Sequence, residues 1–281
     1  MIGFVLVDKP VGPTSHDVVD VVRRALGIKR VGHAGTLDPP ASGLLVVAVG
    51  PATRLLRYVQ GLDKTYEATG VLGVRTTTLD AAGDVVSEEP ADVDEARLRS
   101  ALDAFVGEID QVPPAVSAVK VAGERAYKRA ARGEDVVIEP RRVRVYDLAL
   151  VAYDPPRFEI VLRCSSGTYV RSLVADVGDA LGCGAHTASL RRTAIGHLLV
   201  SDAVAPGTVE ADAVMAVEDV LSQFQRVEVD AEVAHRAGNG QQIEAAARDG
   251  EVLVVGPGGT VGVFESRDGM LRPVTVLGSR S

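Results

Sequence analysis

The chain has 281 residues, a net charge of −8 and 46% apolar residues. No apolar run approaches the roughly 18 residues of a membrane span, and no basic-then-apolar leader is present, so the expectation is a soluble cytoplasmic protein. Cys164 and Cys183 lack metal-ligand spacing, and there is no Walker A, GxSxG, HExxH or GxGxxG pattern, so no motif calls for a metal, nucleotide or flavin.

Taken in chain order, "GFVLVDKP" predicts a short buried strand. "PTSHDVVDVVRRALG" predicts a helix with Thr14 or Ser15 as N-cap and Gly27 just past its end. "VGHAGTLDPPASG" has neither helical nor strand periodicity, and Pro39 and Pro40 confine Asp38 to an extended or turn backbone. A carboxylate there is either held rigidly for chemistry or is a plain turn aspartate. "GLLVVAVG" has the length of a buried strand. "PATRLLRYVQG" spaces Ala52, Leu55, Leu56 and Val59 as a helix does, and "KTYEATGVLGV" alternates as a strand with Tyr66 and Ala68 on one side. "DVDEARLRSALDAFVG" predicts an amphipathic helix with Asp92 and Glu95 as a capping box.

Strands are expected over 143–153 and 158–164, followed by the helix "YVRSLVADVGDALG", which begins near Thr168 and stops at Gly182. "ADAVMAVEDVLSQF" predicts a last helix. Beyond Arg226, three short strands joined by "GPGG" and "RDGM" predict a small β domain. Strands and helices mix without a strict βα repeat. The expected class is α+β, with a mixed, largely antiparallel sheet flanked by helices, a main domain over 1–224 and a β domain over 225–281.

Charge is uneven. Ten acidic residues stand between Asp80 and Asp110, whereas eight basic residues against four acidic ones lie between Lys120 and Arg144. A basic stripe on an acidic chain permits nucleic-acid binding, because phosphate contacts depend on local charge; it is equally consistent with a solvated face. Arg171 falls in the first turn of its helix, where the macrodipole disfavours a cation, so another partner is wanted. A buried carboxylate would satisfy it.

Several of these stretches, in order, resemble one family. "GFVLVDKPVGPTSHD", "VGHAGTLDPPASGLL", "KTYEA", "VPPAVSAVK", "RCSSGTYVRSL" and "LRRTAIG" resemble the motifs of bacterial tRNA pseudouridine-55 synthases, the TruB family, over roughly residues 3 to 196. The tail is similar, more weakly, to a PUA-type RNA-binding module. The resemblance implies a pseudouridine synthase fold, tRNA (its TΨC arm) as substrate, no cofactor, no metal, no obligate protein partner and a monomer.

By position, the resemblance makes Asp38 the catalytic carboxylate, with Arg171 paired to it and Tyr66 stacking on the target base. Tyr169 would lie beside them, Leu190 would pack against the base, and His33 would hold the RNA loop. Lys9, Lys64, Ser117, Lys120, Tyr127, Arg129, Arg132, Arg141, Arg142, Arg191 and Arg192 would bind the rest of the RNA. Val116 departs from the family pattern, which has an aromatic there. The alternatives are a guide-dependent pseudouridine synthase of rRNA, a non-catalytic RNA chaperone, and a glycosidase-like hydrolase, which would need a second carboxylate about 5 to 10 Å from the first.

Overall fold

A computed structural model describes residues 1–114 and 138–278, and the backbone of 120–121 and 124–125. Ser117, Tyr127, Arg129, Arg132, Val116 and the side chain of Lys120 lie outside the described residues. The elements run β1 (Gly3–Lys9), α1 (Ser15–Leu26), β2 (Val31–His33), β3 (Ser42–Val49), α2 (Leu56–Gln60), β4 (Lys64–Leu72), β5 (Val74–Thr76), β6 (Val85–Glu88), α3 (Glu95–Asp103) and β7 (Gly107–Gln111). They continue with β8 (Lys120–Val121), β9 (Glu124–Arg125), β10 (Arg141–Asp154), β11 (Arg157–Cys164), α4 (Val170–Leu181) and β12 (Ala185–Ile195). The last are β13 (Leu198–Leu199), α5 (Val217–Val220), β14 (Gln225–Glu228), α6 (Ala231–Gly238), β15 (Ile243–Glu244), β16 (Gly250–Gly256), β17 (Gly259–Arg267) and β18 (Met270–Val276). Among the described residues no helix is long and apolar enough to cross a membrane.

The chain divides into two compact units, one of residues 1–39, 43–61 and 198–281, the other of 40–42 and 62–197. In the first, β1 runs antiparallel to β3, and β2 pairs with the same strand. Val18, Val19 and Val22 of α1 pack with Val5, Val7, Leu45, Val47 and Val49, at roughly 1.5 to 3 kcal/mol for each side chain buried. Thr14 is the N-cap, closing a capping box with Asp17, and Gly27 ends the helix in the left-handed region at φ 64°. Also in this unit, β14, β16, β17, β18 and β15 form a five-stranded sheet around Val252, Val254, Phe264 and Leu271. The "RDGM" turn places Asp268 and Gly269 at φ 52° and 75°, as a type I′ hairpin requires. Arg54, just before α2, and Arg57 of α2 reach this sheet, donating to the Val276 carbonyl at 2.7 Å and to Thr275 Oγ1 at 2.9 Å.

The second unit is built on the antiparallel order β12–β4–β11–β10–β7, with α4 and α3 packed on it. β4 alternates strictly, burying Lys64, Tyr66, Ala68, Gly70 and Leu72 on one face. Two expectations are corrected, and one strand is added. The cap of α3 is Asp94, which accepts from the Arg97 N–H, not Asp92. The span 211–224 yields one turn of 3-10 helix and the four-residue α5 in place of a long helix, while α6 forms further on behind its own cap, Asp230. The motif "LRRTAIG" belongs to an eleven-residue strand, β12, that periodicity did not reveal.

Gly70 lies opposite Phe158 in the β4–β11 register, and a Cβ there would come within 2.2 Å of the Phe158 ring. We expect Gly70→Ala to cost about 1 to 3 kcal/mol through overpacking, read as a lowered melting temperature with the fold otherwise unchanged.

Candidate active site

Asp38 lies in the first unit, half-buried, between β2 and β3. The backbone on either side of it is tied down. The Leu37 N–H donates to Ser15 Oγ at 2.8 Å, Ser15 Oγ donates to the Leu37 carbonyl at 2.9 Å, and the Gly12 N–H donates to the Pro39 carbonyl at 2.8 Å. Gly12 sits at φ 112°, a conformation that favours glycine. His33 ends β2 opposite Val47, half-buried on the same loop. Lys9 closes β1 with its side chain fully buried, and its ammonium donates to the Pro10 carbonyl at 2.9 Å.

The second unit holds Tyr66, Tyr169, Arg171 and Leu190. In the β4–β12 register Leu190 lies opposite Ala68 and Arg192 opposite Tyr66, so Tyr66, Ala68, Leu190 and Arg192 share one face. A bulge between Thr187 and Ser189 sets this. One extra residue in β12 reverses the parity of everything beyond it. Arg191 is on the other face, opposite Glu67, with its Nη1 3.4 Å from Ser42 Oγ.

Arg171, at the start of α4, is 5% exposed and finds the buried carboxylate its position demands. That partner is Asp80: Nη1 stands 3.2 Å from Asp80 Oδ2 and donates to the Thr78 carbonyl at 2.7 Å. Asp80 Oδ1 in turn accepts from Thr78 Oγ1 at 2.5 Å and from the Ala82 N–H at 3.1 Å. The Thr187 N–H bonds the Leu79 carbonyl, and the Ala81 N–H bonds the Thr187 carbonyl, fastening the turn to β12. Gly83 permits the turn, since a Cβ there would meet Thr78 Oγ1 at 2.4 Å. Sequence reasoning missed Asp80, although the run "TTTLDAAGD" has the hydroxyl-rich, glycine-closed composition of a structured turn.

Tyr169 caps α4 without a side-chain cap bond. Its place is set by Gln111, 1% exposed, whose Oε1 accepts from the Tyr169 N–H at 2.7 Å and whose Nε2 donates to the Tyr169 carbonyl at 3.0 Å. The helix therefore starts two residues later than Thr168. Gln111 is a second residue that no sequence signal announced, because a side chain clamping a backbone 58 positions away leaves no local pattern.

The face around Tyr66 is cationic. Burial, with the nearby Arg192 charge second, pushes the Lys64 ammonium down to about 8, and it donates to the Leu62 carbonyl at 2.5 Å. Arg192, expected among the RNA contacts, is 2% exposed. Burying a guanidinium leaves it to act inside the unit. Arg141 and Arg142 are exposed on β10, Arg142 within 3.2 Å of Asp110, a surface pair screened by solvent. Burial pushes the Cys164 thiol up to about 11, which keeps it protonated and inert.

Three comparisons bear on this arrangement. The chain matches the family model of the TruB family pseudouridylate synthase N-terminal domain over residues 23–170, and that of the tRNA pseudouridylate synthase B C-terminal domain over 171–231. It is 46% identical to the tRNA pseudouridine synthase B of Thermobifida fusca, with 98% of each chain covered. It is 45% identical to that of Burkholderia pseudomallei, covering 96% of this chain and 91% of the other. Among solved structures it resembles a chain of an H/ACA RNP bound to a substrate RNA containing 2'-deoxyuridine, with a TM-score of 0.74 at 22% identity, covering 99% of this chain and 86% of that one. An archaeal box H/ACA Nop10–Cbf5 complex gives 0.74 at 24%, covering 99% and 87%. At that identity the structures show the fold alone: the α+β architecture of pseudouridine synthases.

Two outcomes follow from the geometry. Asp80→Ala removes the carboxylate that faces a buried guanidinium, and we expect a loss of about 3 kcal/mol in urea unfolding. On α4, burial first and Asp179 second push Asp176 up to about 6 from 3.8. The folded chain therefore holds this proton more tightly than the unfolded chain, so its stability contribution is complete below pH 3.8 and is lost as pH rises through about 6. Asp176→Asn is expected to stabilise by about 1 kcal/mol at pH 7.5 and to change little at pH 3.5, measured by thermal melts at both values.

Proposed function

The chain belongs to the TruB pseudouridylate synthase family, and from that premise we propose that it isomerises uridine 55 in the TΨC loop of tRNA to pseudouridine, with Asp38 as the essential carboxylate. The observation that carries this is the 46% identity to a tRNA pseudouridine synthase B across 98% of both chains. The reaction breaks the bond between N1 and C1′, turns the uracil and joins C5 to C1′. A proton leaves C5 and one is gained at N1, so atoms and electrons balance without a cofactor. A carboxylate serves such a step as nucleophile or as electrostatic support for the electron-poor sugar carbon.

The other residues have roles that fit their placement. Tyr66 stacks on the extruded base and Leu190, on the same strand face, packs against it. In the resemblance Arg171 is the partner of Asp38; within its own unit its Nη1 meets Asp80 and the Thr78 carbonyl. Tyr169, placed by Gln111, lies beside it. Uridine must leave the stack to be reached, at a cost of a few kcal/mol, which stacking and phosphate contacts offset. His33 holds the opened RNA loop. Lys9, Lys64 and the buried Arg192 contribute positive potential, while the exposed Arg141 and Arg142, with Arg191, meet the phosphates. Ser117, Lys120, Tyr127, Arg129 and Arg132 complete the RNA contacts in the resemblance.

Residues 1–224 form the catalytic domain and 225–281 a PUA-like RNA-binding domain, a division supported by the separate core around Phe264. The enzyme acts as a monomer in the cytoplasm, without a guide RNA or protein partner, and folding of tRNA as a chaperone accompanies its binding.

The test is incubation of the purified chain with an isolated TΨC stem-loop, reading modified uridines by mass spectrometry. Pseudouridine at the loop position corresponding to 55 is expected from the chain alone; product that requires added protein or guide RNA refutes the stand-alone reading. Asp38→Asn should bind tRNA normally and form no product, whereas product from that variant would remove Asp38 from the chemistry.

A further inference from the structure

Thr14 and Ser15 both stand where a helix N-cap belongs, and the cap of α1 is Thr14, which exchanges bonds with Asp17. Ser15 is thereby released from capping. Its side chain, 3% exposed, turns instead to Leu37, 22 positions away, where Oγ accepts the Leu37 N–H at 2.8 Å and donates to the Leu37 carbonyl at 2.9 Å. One hydroxyl so satisfies both backbone groups of the residue that precedes Asp38. On the far side, Pro39 and Pro40 have no N–H with which to anchor the turn, and the bond from the Gly12 N–H to the Pro39 carbonyl at 2.8 Å takes that role. Gly12, before α1, and Ser15, its first residue, thus grip the chain immediately after and immediately before the aspartate.

We propose that Ser15 is a positioning residue for Asp38, setting the backbone from which the carboxylate projects. This rests on the reading of Asp38 as the catalytic carboxylate. A misplacement of about 1 Å in a reacting group costs on the order of 100-fold in rate. Loss of the hydroxyl frees Leu37 while leaving the cap of α1, the Tyr66 face and the exposed arginines unchanged, so the defect falls on the chemical step and spares RNA binding.

The experiment compares Ser15→Ala with the parent chain in single-turnover pseudouridine formation at saturating enzyme, together with the Kd for tRNA. A rate lowered about 10- to 100-fold with Kd within about threefold is expected. A rate within twofold of the parent, or a loss confined to Kd, overturns the proposal. If the alanine variant does not fold, Ser15→Cys, which keeps a weak donor and acceptor, is read the same way: an intermediate loss of rate supports the proposal and an unchanged rate overturns it. Asp38→Asn is run alongside. If it stays active, the reading of Asp38 fails; if it is inactive while Ser15→Ala turns over normally, the role of Ser15 alone fails.

Discussion

A guanidinium removed from water must be met by charge and by hydrogen-bond acceptors, and the second unit of this protein is arranged to meet that demand at Arg171. Asp80 and the Thr78 carbonyl receive it. Asp80 is in turn fixed by Thr78 and Ala82, and its turn is fastened to β12 through Thr187. The start of α4, the turn over 76–84 and the long strand that carries Leu190 and Arg192 are therefore held by one connected set of polar contacts. Such a set is costly when partly satisfied, which gives each member a structural reason for its identity.

The same accounting explains how an acidic chain presents cationic ground. Several acidic residues between Asp80 and Asp110 have local duties: Asp80 faces Arg171, Asp94 caps α3, Glu95 pairs with Arg99 and Asp110 with Arg142. Lys64 and Arg192 are buried near Tyr66, where a low dielectric strengthens their field. Net charge thus says little about what a polyanion meets locally.

Each unit fixes backbone beside a candidate residue by the same device. Ser15 holds both backbone groups of Leu37, and Gln111 holds both backbone groups of Tyr169. In each case a buried polar side chain fixes the backbone one or two positions before a charged residue, Asp38 after Leu37 and Arg171 after Tyr169. Loops that carry chemistry need such support because their own backbone makes no regular ladder.

Local rules made much of this legible. Capping chemistry located α1, a left-handed glycine ended α1 and α4, alternation gave β4 its buried Tyr66 face, and Asp-Gly marked the last hairpin. These features depend on neighbours within a few residues, so the amino-acid order alone determines them. It also supplied the motifs that carry the family resemblance. Tertiary structure decided what depends on distant partners: the bulge that turns Leu190 toward Tyr66's face, the choice of Asp80 for Arg171, the burial of Arg192, and the release of Ser15 from capping to hold Leu37. Each of those joins residues tens of positions apart. Strand register and buried hydrogen bonds are selected by the whole packed unit and have no local period to read.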